Sequence, residues 1–310
     1  MPSSTTARAQ AFVAQHRPAA VALGDRLTDL VADPERFERS LARGFRGLAD
    51  PVYAAAQPTI VPGSAPLLGV RWPLVSTVAR KVDRALAGQS PAIAVYLAER
   101  LAQADLLEVR LFSHVALRRS LAGDPERSWQ VIRRLARRAA DWVSVDSLAD
   151  LTARGILLEP YRWAELEQLV YSPHRWERRL VGSTLAELPV RIRADERATR
   201  LRPTPALALI ATMIGEADPD VRKALSWALR SWRAVDPAGV ADLLRRETTV
   251  SVDTMDGNRA WVVRDALTGA GADEALAGEL RPVLAAAHLR TDRRHDTSRA
   301  HEVAHAFGAA

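Results

Sequence analysis

Val221-Arg222-Lys223-Ala224-Leu225 is followed 42 residues later by Val263-Arg264-Asp265-Ala266-Leu267, a second copy that differs at one position. In both copies the apolar residues recur at three- and four-residue spacing, which is the spacing of one face of an α-helix. Two other stretches echo the pattern more weakly, Glu108-Val109-Arg110-Leu111 and Trp176-Glu177-Arg178-Arg179-Leu180. The chain therefore contains degenerate copies of one helical unit.

Helical spacing extends along the whole chain, and we find no convincing alternation of the kind that predicts a β-strand. Helix starts are marked by a capping residue before a proline, whose missing N–H removes no hydrogen bond there. These pairs are Asp33–Pro34, Asp50–Pro51, Ser90–Pro91, Asp124–Pro125, Ser172–Pro173, Asp218–Pro219 and Asp236–Pro237. Helix pairs that repeat about every 40 residues are typical of HEAT-like repeats. We therefore predict an all-α fold, a HEAT-like helical-repeat solenoid whose concave face suits a long ligand.

Two segments fall outside the repeat pattern. Residues 57–66 hold Pro58, Pro62, Gly63 and Pro66 and are predicted to form a surface loop. We assign residues 1–287 to one α-solenoid domain. Residues 288–310 are assigned to a basic, loosely docked C-terminal tail that carries Arg290, Arg293, Arg294 and Arg299.

Composition restricts the classes of function. The 310 residues contain no cysteine, which excludes disulfides, thiol catalysis and a thiolate zinc site. There is no run of about 18 apolar residues and no apolar signal core at the N-terminus, so we expect a cytoplasmic protein without a membrane helix. The net charge of +6 comes almost entirely from arginine. It favours an acidic partner such as nucleic acid, or it reflects a GC-rich genome.

The stretch from Asp141 to Asp146 pairs an indole with a carboxylate. Trp142 and Asp146 are four residues apart, so on a helix they share one edge. Trp142 is expected at the margin of the buried stripe and Asp146 further towards solvent, the stripe being Val145, Leu148, Ala149 and Thr152. Such a pair is able to stabilise a cation. The alternative is a half-buried tryptophan beside a surface carboxylate.

A second predicted helix, from Pro219 to about Ala234, carries a tryptophan between two cations. Trp227 lies off the core stripe, beside Lys223 and Arg230. The core stripe itself is Val221, Ala224, Leu225, Ala228 and Trp232. This tryptophan either binds a ligand or packs against the next repeat.

A third predicted helix, from Pro173 to Leu188, combines arginines with small residues. Arg175 and Arg179 lie beside Gly182 and Ala186, away from the core face. Small neighbours let a phosphate approach the helix, where arginine is able to donate two hydrogen bonds. The alternative is a solvated basic face.

In combination, these motifs resemble the AlkD-type alkylpurine DNA glycosylases, DNA alkylation repair enzymes that are built of HEAT-like repeats. Four stretches match the family in order, over roughly residues 50–250. They are Leu68-Gly69-Val70-Arg71-Trp72-Pro73 (LGI/V-x-x-P), Trp142-Val143-Ser144-Val145-Asp146 (W-D-x-V-D), Trp176-Glu177-Arg178-Arg179 (W-x-x-R) and Lys223-Ala224-Leu225-Ser226-Trp227-Ala228-Leu229-Arg230 (K-A-I/L-x-W-x-L-R).

The resemblance implies roles for individual residues. Trp142 and Trp227 are expected to flank the lesion nucleotide and contact its deoxyribose, and Asp146 is expected to be the catalytic carboxylate. Arg179 is expected to hold the nearby phosphate, and Tyr53 matches a tyrosine that lines the DNA cleft. The other DNA contacts that we expect are Arg175, Lys223 and Arg230. Val143 departs from the family, which has an aspartate there, and this affects fine geometry more than activity.

The activity that the resemblance implies is hydrolysis of the N-glycosidic bond of cationic N3- or N7-alkylated purines in duplex DNA. The all-α, HEAT-like helical-repeat solenoid is then expected to have a basic concave DNA-binding face. Bulky adducts are expected to be tolerated, because the family leaves the base outside an enclosing pocket. We expect a monomer that needs no cofactor or metal and works in the cytoplasm at the nucleoid. Its role would be base excision repair or self-resistance to a DNA-alkylating metabolite.

Two other classes of function are considered. One is a non-catalytic HEAT-repeat protein that binds distorted DNA, and the other is a HEAT scaffold for protein partners. The pair of Trp142 and Asp146 favours the enzyme, since mere binding needs no carboxylate facing an anionic polymer.

A separate motif near the C-terminus matches the zinc-protease pattern. His301-Glu302-Val303-Ala304-His305 has the H-E-x-x-H spacing, which places two histidines one helical turn apart. Catalytic zinc needs three protein ligands, and only His288 or His295 could reach back to supply the third. We therefore expect a helical tail with ordinary histidines.

Overall fold

The computed structural model describes residues 4–291 and 295–308, so Arg293 and Arg294 of the predicted tail lie outside the described residues. Within those ranges the chain forms 17 α-helices, three short 3-10 helices, two isolated β-bridges and no β-strand, which confirms the all-α helical-repeat prediction. The α-helices are α1 (Ser4–Thr28), α2 (Pro34–Arg46), α3 (Pro51–Ile60), α4 (Trp72–Leu86), α5 (Pro91–Leu101), α6 (Leu107–Ser120), α7 (Pro125–Arg138), α8 (Trp142–Leu158), α9 (Trp163–Leu169), α10 (Arg175–Glu187), α11 (Arg197–Arg200), α12 (Pro203–Met213), α13 (Pro219–Trp232), α14 (Pro237–Asp253), α15 (Gly257–Ala266), α16 (Glu274–Ala286) and α17 (Arg299–Gly308). None of the described helices is both long and apolar enough to cross a bilayer.

Residues 1–147 form a first compact unit with two layers of helices. Helices α1, α4 and α6 pack side by side in one layer, and α2, α5 and α7 do so in the other. The layers meet through apolar side chains, among which Phe45 and Phe112 pack edge to face at 5.4 Å. Phe37, Leu41 and Trp129 are at most 1% exposed.

Residues 148–310 form a second compact unit, and the division between the units falls within α8. Helices α10, α13 and α15 pack side by side in one layer, while α12, α14 and α16 form the other. The two sequence copies lie on the neighbouring helices α13 and α15. Their apolar residues are at most 2% exposed: Val221, Ala224, Leu225, Val263, Ala266 and Leu267. The repeated motif is therefore the buried face of a repeated helix.

Six of the seven predicted capping residues accept a hydrogen bond from the first turn of a helix: Asp33, Asp50, Ser90, Asp124, Asp218 and Asp236. The prediction for Ser172 is wrong by two residues, because α10 begins at Arg175 after the cap residue His174. The Ser172 hydroxyl instead accepts the His174 N–H at 3.1 Å and donates to Glu177.

The predicted loop over residues 57–66 is wrong at its start, because α3 continues through Pro58 to Ile60. Pro58 has no N–H to donate to the carbonyl four residues earlier, so α3 continues past it with one hydrogen bond fewer. Irregular backbone begins at Val61, which is 3% exposed and donates its N–H to the Gln57 carbonyl at 2.8 Å. Burial of Val61 anchors the end of α3.

The C-terminal tail is docked through specific contacts rather than loosely. Arg290 forms an isolated bridge with Asp256, and the Thr297 N–H donates to the Gly215 carbonyl at 3.1 Å. Helix α17 packs against α12. The boundary between a domain over 1–287 and a tail over 288–310 stays a prediction.

Candidate functional site

Asp141 fixes the start of α8. This carboxylate is 1% exposed, and it accepts hydrogen bonds from the Ser144 N–H at 2.8 Å and the Ser144 hydroxyl at 2.9 Å. It thereby satisfies an N–H that has no partner within the helix. Trp142 and Asp146 are partly exposed. The predicted stripe is confirmed, with 2% exposure or less at Val145, Leu148, Ala149 and Thr152.

The indole of Trp142 is held by the end of α3. Its Nε1–H donates a 2.9 Å hydrogen bond to the carbonyl of Ile60, the last residue of that helix. Carbonyls in the last turn of a helix have no partner within it, so the indole satisfies one of them. The bond uses the edge of the ring, and hydrogen bonding therefore occupies neither ring face.

Tyr53 lies in the first turn of α3 and is partly exposed. The Arg71 guanidinium stacks on its ring at 4.9 Å and donates to the Asp50 carboxylate at 2.8 and 2.7 Å. Burial raises the pKa of Asp50, but Arg71 and the N–H groups of Tyr53 and Val52 outweigh burial and hold that pKa below its ordinary value. A charged pair therefore fixes the position of Tyr53.

Glu108 was missed by the sequence analysis and anchors the glycine-containing motif before α4. It is 5% exposed and accepts the N–H groups of Leu68, Gly69 and Val70 at 2.8 to 3.3 Å. Gly69 has a φ of +78° and lies so close to α3 that a Cβ would collide with it. The available signal was a glutamate that directly follows two leucines and precedes a valine, over residues 106–109. A buried carboxylate of this kind needs several donors, and this backbone supplies them.

Trp227 lies on α13, in the second unit, and is half-buried rather than exposed. Lys223, one turn before it, has a 61% exposed side chain, and its nearest carboxylate, Asp220, is 3.9 Å away. Arg230 forms an ion pair with Asp265 of α15, and its side chain is only 28% exposed. Of the two predicted cations, Lys223 is therefore the more available to a phosphate.

Arg179 is 5% exposed and donates to the backbone carbonyl of Asp220 on α13. The expectation that Gly182 lets a phosphate approach α10 is wrong. A Cβ at Gly182 would lie 2.8 Å from the Cβ of Ala224, so the glycine permits close packing of α10 against α13. Ala186 is also buried. The phosphate-binding role of Arg179 stays a prediction.

Arg175 is the more accessible of the two predicted arginines on α10. Its guanidinium stacks over the ring of Trp176 at 4.5 Å and lies 3.5 Å from the Asp218 carboxylate. Half of its side chain is exposed. This position leaves the guanidinium accessible for a phosphate contact.

The H-E-x-x-H histidines lie on α17 and line a cavity of about 1020 Å³. The rings of His301 and His305 pack edge to face at 4.6 Å. Arg178 and Glu216 in the same cavity pair at 2.7 Å, and burial raises the pKa of Glu216 despite this arginine. Among residues 4–291 and 295–308, no three His, Asp or Glu side chains are grouped to hold a metal ion. The residues that line the cavity are remote from Trp142 in sequence. Arg178 and Glu216 in its lining pair with each other.

The predicted site residues are divided between the two compact units. The first unit contains Tyr53, Trp142 and Asp146. The second contains Arg175, Arg179, Lys223, Trp227 and Arg230. Neighbours within the first unit hold Tyr53 and Trp142, and neighbours within the second hold Arg175, Arg179 and Arg230.

No curated protein and no solved structure gave a match to the chain. Residues 41–268 match the family model described as DNA alkylation repair enzyme. This range covers more than half of the chain and includes every predicted site residue. The chain therefore belongs to the DNA alkylation repair enzyme family.

Proposed function

We propose that this protein is a DNA glycosylase that hydrolyses the N-glycosidic bond of cationic N3- or N7-alkylated purines in duplex DNA. The observation that carries the proposal is the pair of Trp142 and Asp146, both partly exposed on one edge of α8 in a chain that belongs to a DNA alkylation repair family. A carboxylate and an electron-rich ring at one edge suit a reaction that develops positive charge.

The chemistry follows from the charge of the lesion. The bond between C1′ and the purine nitrogen breaks with its electron pair going to the purine, which leaves neutral. Positive charge develops on the deoxyribose, where the Asp146 carboxylate stabilises it and the Trp142 face adds about 0.5–2 kcal/mol. Water oriented by Asp146 then adds to C1′ and releases a proton. The purine needs no general acid, because it leaves without a negative charge.

Binding of duplex DNA is assigned to the accessible cations of the second unit and to Tyr53. Lys223 and Arg175 have side chains that are at least half exposed, so they are available to phosphates. Arg179 and Arg230 are held by backbone or carboxylate groups. These two are proposed to contact phosphate with fixed geometry. The net charge of +6 supports an anionic partner.

A non-catalytic protein that binds distorted DNA is the alternative. Such a protein gains nothing from Asp146, because a partly exposed carboxylate repels phosphate. The position of Asp146, one turn from a tryptophan whose ring is held by Ile60, therefore favours the glycosylase.

The deciding experiment measures single-turnover base release from oligonucleotide duplexes that each carry one defined lesion. Released bases are detected by chromatography. We expect release of N7-methylguanine and of a bulky N3-alkyladenine, and no release of uracil or hypoxanthine. Neutral bases offer no cation to the ring and no weakened bond. Efficient excision of uracil, or failure to release any cationic lesion, contradicts the proposal.

A further inference from the structure

Ile60 lies directly beside the indole of Trp142. Its carbonyl oxygen accepts the indole N–H at 2.9 Å. A carbonyl oxygen is about 2.4 Å from the Cα of its own residue, so the Cα of Ile60 lies at most about 5.3 Å from the indole nitrogen. Ile60 is nevertheless 51% exposed. An exposed apolar residue is therefore a near neighbour of the proposed catalytic tryptophan.

Ile60 is followed directly by a buried residue and lies on the same helical face as Tyr53. Within α3 it lies seven residues after Tyr53, which places the two on the same helical face. Val61, the next residue, is 3% exposed. Further on, the Pro66 carbonyl accepts the Leu107 N–H at 3.0 Å. The bond from Trp142 and the burial of Val61 therefore restrain the backbone at Ile60.

We propose that Ile60 is a specificity-determining residue that contacts the alkyl substituent of bulky purine adducts. The inference rests on the proposed function, which places the lesion against Trp142. A methyl group is too short to extend past the indole edge, whereas a large apolar substituent extends over Ile60. Each square ångström of apolar surface that is buried in this way contributes about 25 cal/mol. Ile60 therefore favours bulky adducts and is neutral towards methylated purines.

The test compares two lesions in the full-length protein, N7-methylguanine and a bulky apolar N3-alkyladenine, each in the same duplex. For Ile60→Ala we expect kcat/KM on the bulky lesion to fall about fivefold, with the methylated lesion within about twofold of wild type. Ile60→Leu conserves the apolar volume of the side chain. Its ratio of kcat/KM on the bulky lesion to kcat/KM on the methylated lesion should therefore equal that of wild type. Val52→Ala is the matched control, because Val52 is a 52% exposed apolar residue at the other end of α3. It leaves the ratio unchanged.

The outcomes separate this inference from the proposed function. A wild-type protein that releases neither lesion overturns the proposed function and the inference with it. An active wild type whose ratio is unchanged by Ile60→Ala overturns the inference alone. An equal fall on both lesions also overturns it, since that result indicates a general structural role. If Ile60→Ala instead raises kcat/KM on the bulky lesion relative to the methylated lesion, then Ile60 obstructs the substituent. That result also contradicts the inference.

Discussion

The Nε1 of Trp142 and the carbonyl oxygen of Ile60 are 2.9 Å apart, so the indole N–H of the first residue of α8 donates to the carbonyl of the last residue of α3. The carbonyl end of a helix carries partial negative charge. The indole N–H therefore donates to a carbonyl with added negative charge. Such an acceptor draws the N–H proton and leaves the indole ring face more electron-rich. The contact gives α3 a role in the proposed site although none of its residues is proposed to react.

Trp142→Phe tests this hydrogen bond, because phenylalanine keeps an aromatic face but has no N–H donor. We expect base release from N7-methylguanine DNA to slow about three- to tenfold, which lies within the range of one cation–π contact. The free energy of unfolding should fall by about 1 kcal/mol, measured by urea denaturation. Trp163→Phe is the control, since its Nε1 donates to Glu167 at 2.6 Å on the surface. Wild-type release by Trp142→Phe would argue against a role for the indole.

Asp146→Asn tests the proposed catalytic carboxylate. The variant keeps the shape of the side chain and loses its charge, so DNA affinity should be retained or slightly increased. Base release in single turnover should slow about 100-fold, because a preorganised charge is worth several kcal/mol at a developing cation. Asp150→Asn, one turn further along α8, is the matched control. Equal release rates for Asp146→Asn and wild type would remove Asp146 from the mechanism.

Lys223→Ala tests the phosphate contacts of the second unit. Its side chain is 61% exposed, so the variant should fold normally. Affinity for damaged and undamaged duplexes should fall together. The slope of the logarithm of the DNA association constant against the logarithm of salt concentration should become shallower by the amount that about one phosphate contact contributes. Lys81→Ala is the control, because the Lys81 ammonium is already paired with Asp25 at 2.6 Å. If Lys223→Ala and wild type have the same salt slope, Lys223 makes no phosphate contact.

Gly182→Ala tests the close approach of α10 and α13. The added Cβ would lie 2.8 Å from the Cβ of Ala224, so the helices must move apart. We expect the free energy of unfolding to fall by about 1–3 kcal/mol. Gly278→Ala on α16 is the matched control, since nothing lies within 4 Å of its Cβ position. It should raise stability by about 0.5–1 kcal/mol. If urea denaturation shows the same free energy of unfolding for Gly182→Ala and wild type, the interface between α10 and α13 has room for the added methyl group.

Helix positions could be predicted because their signals are local. The cap oxygen of Asp218 acts on N–H groups two and three residues later, and its proline partner is adjacent. The stripe of α8 follows from 3.6-residue geometry alone. The local signal misled at Pro58, where α3 accommodates a proline and ends two residues later at Ile60.

The sequence by itself determined the all-α class, the repeated buried faces of α13 and α15, and the edge of α8 that carries Trp142 and Asp146. These depend on residue spacing within one helix. The tertiary structure alone decided that Trp142 bonds to Ile60, 82 residues away, and that Gly182 serves helix packing. Hydrogen-bond partners and accessibility depend on which distant segments meet, and that is set by three-dimensional packing, which residue spacing does not encode.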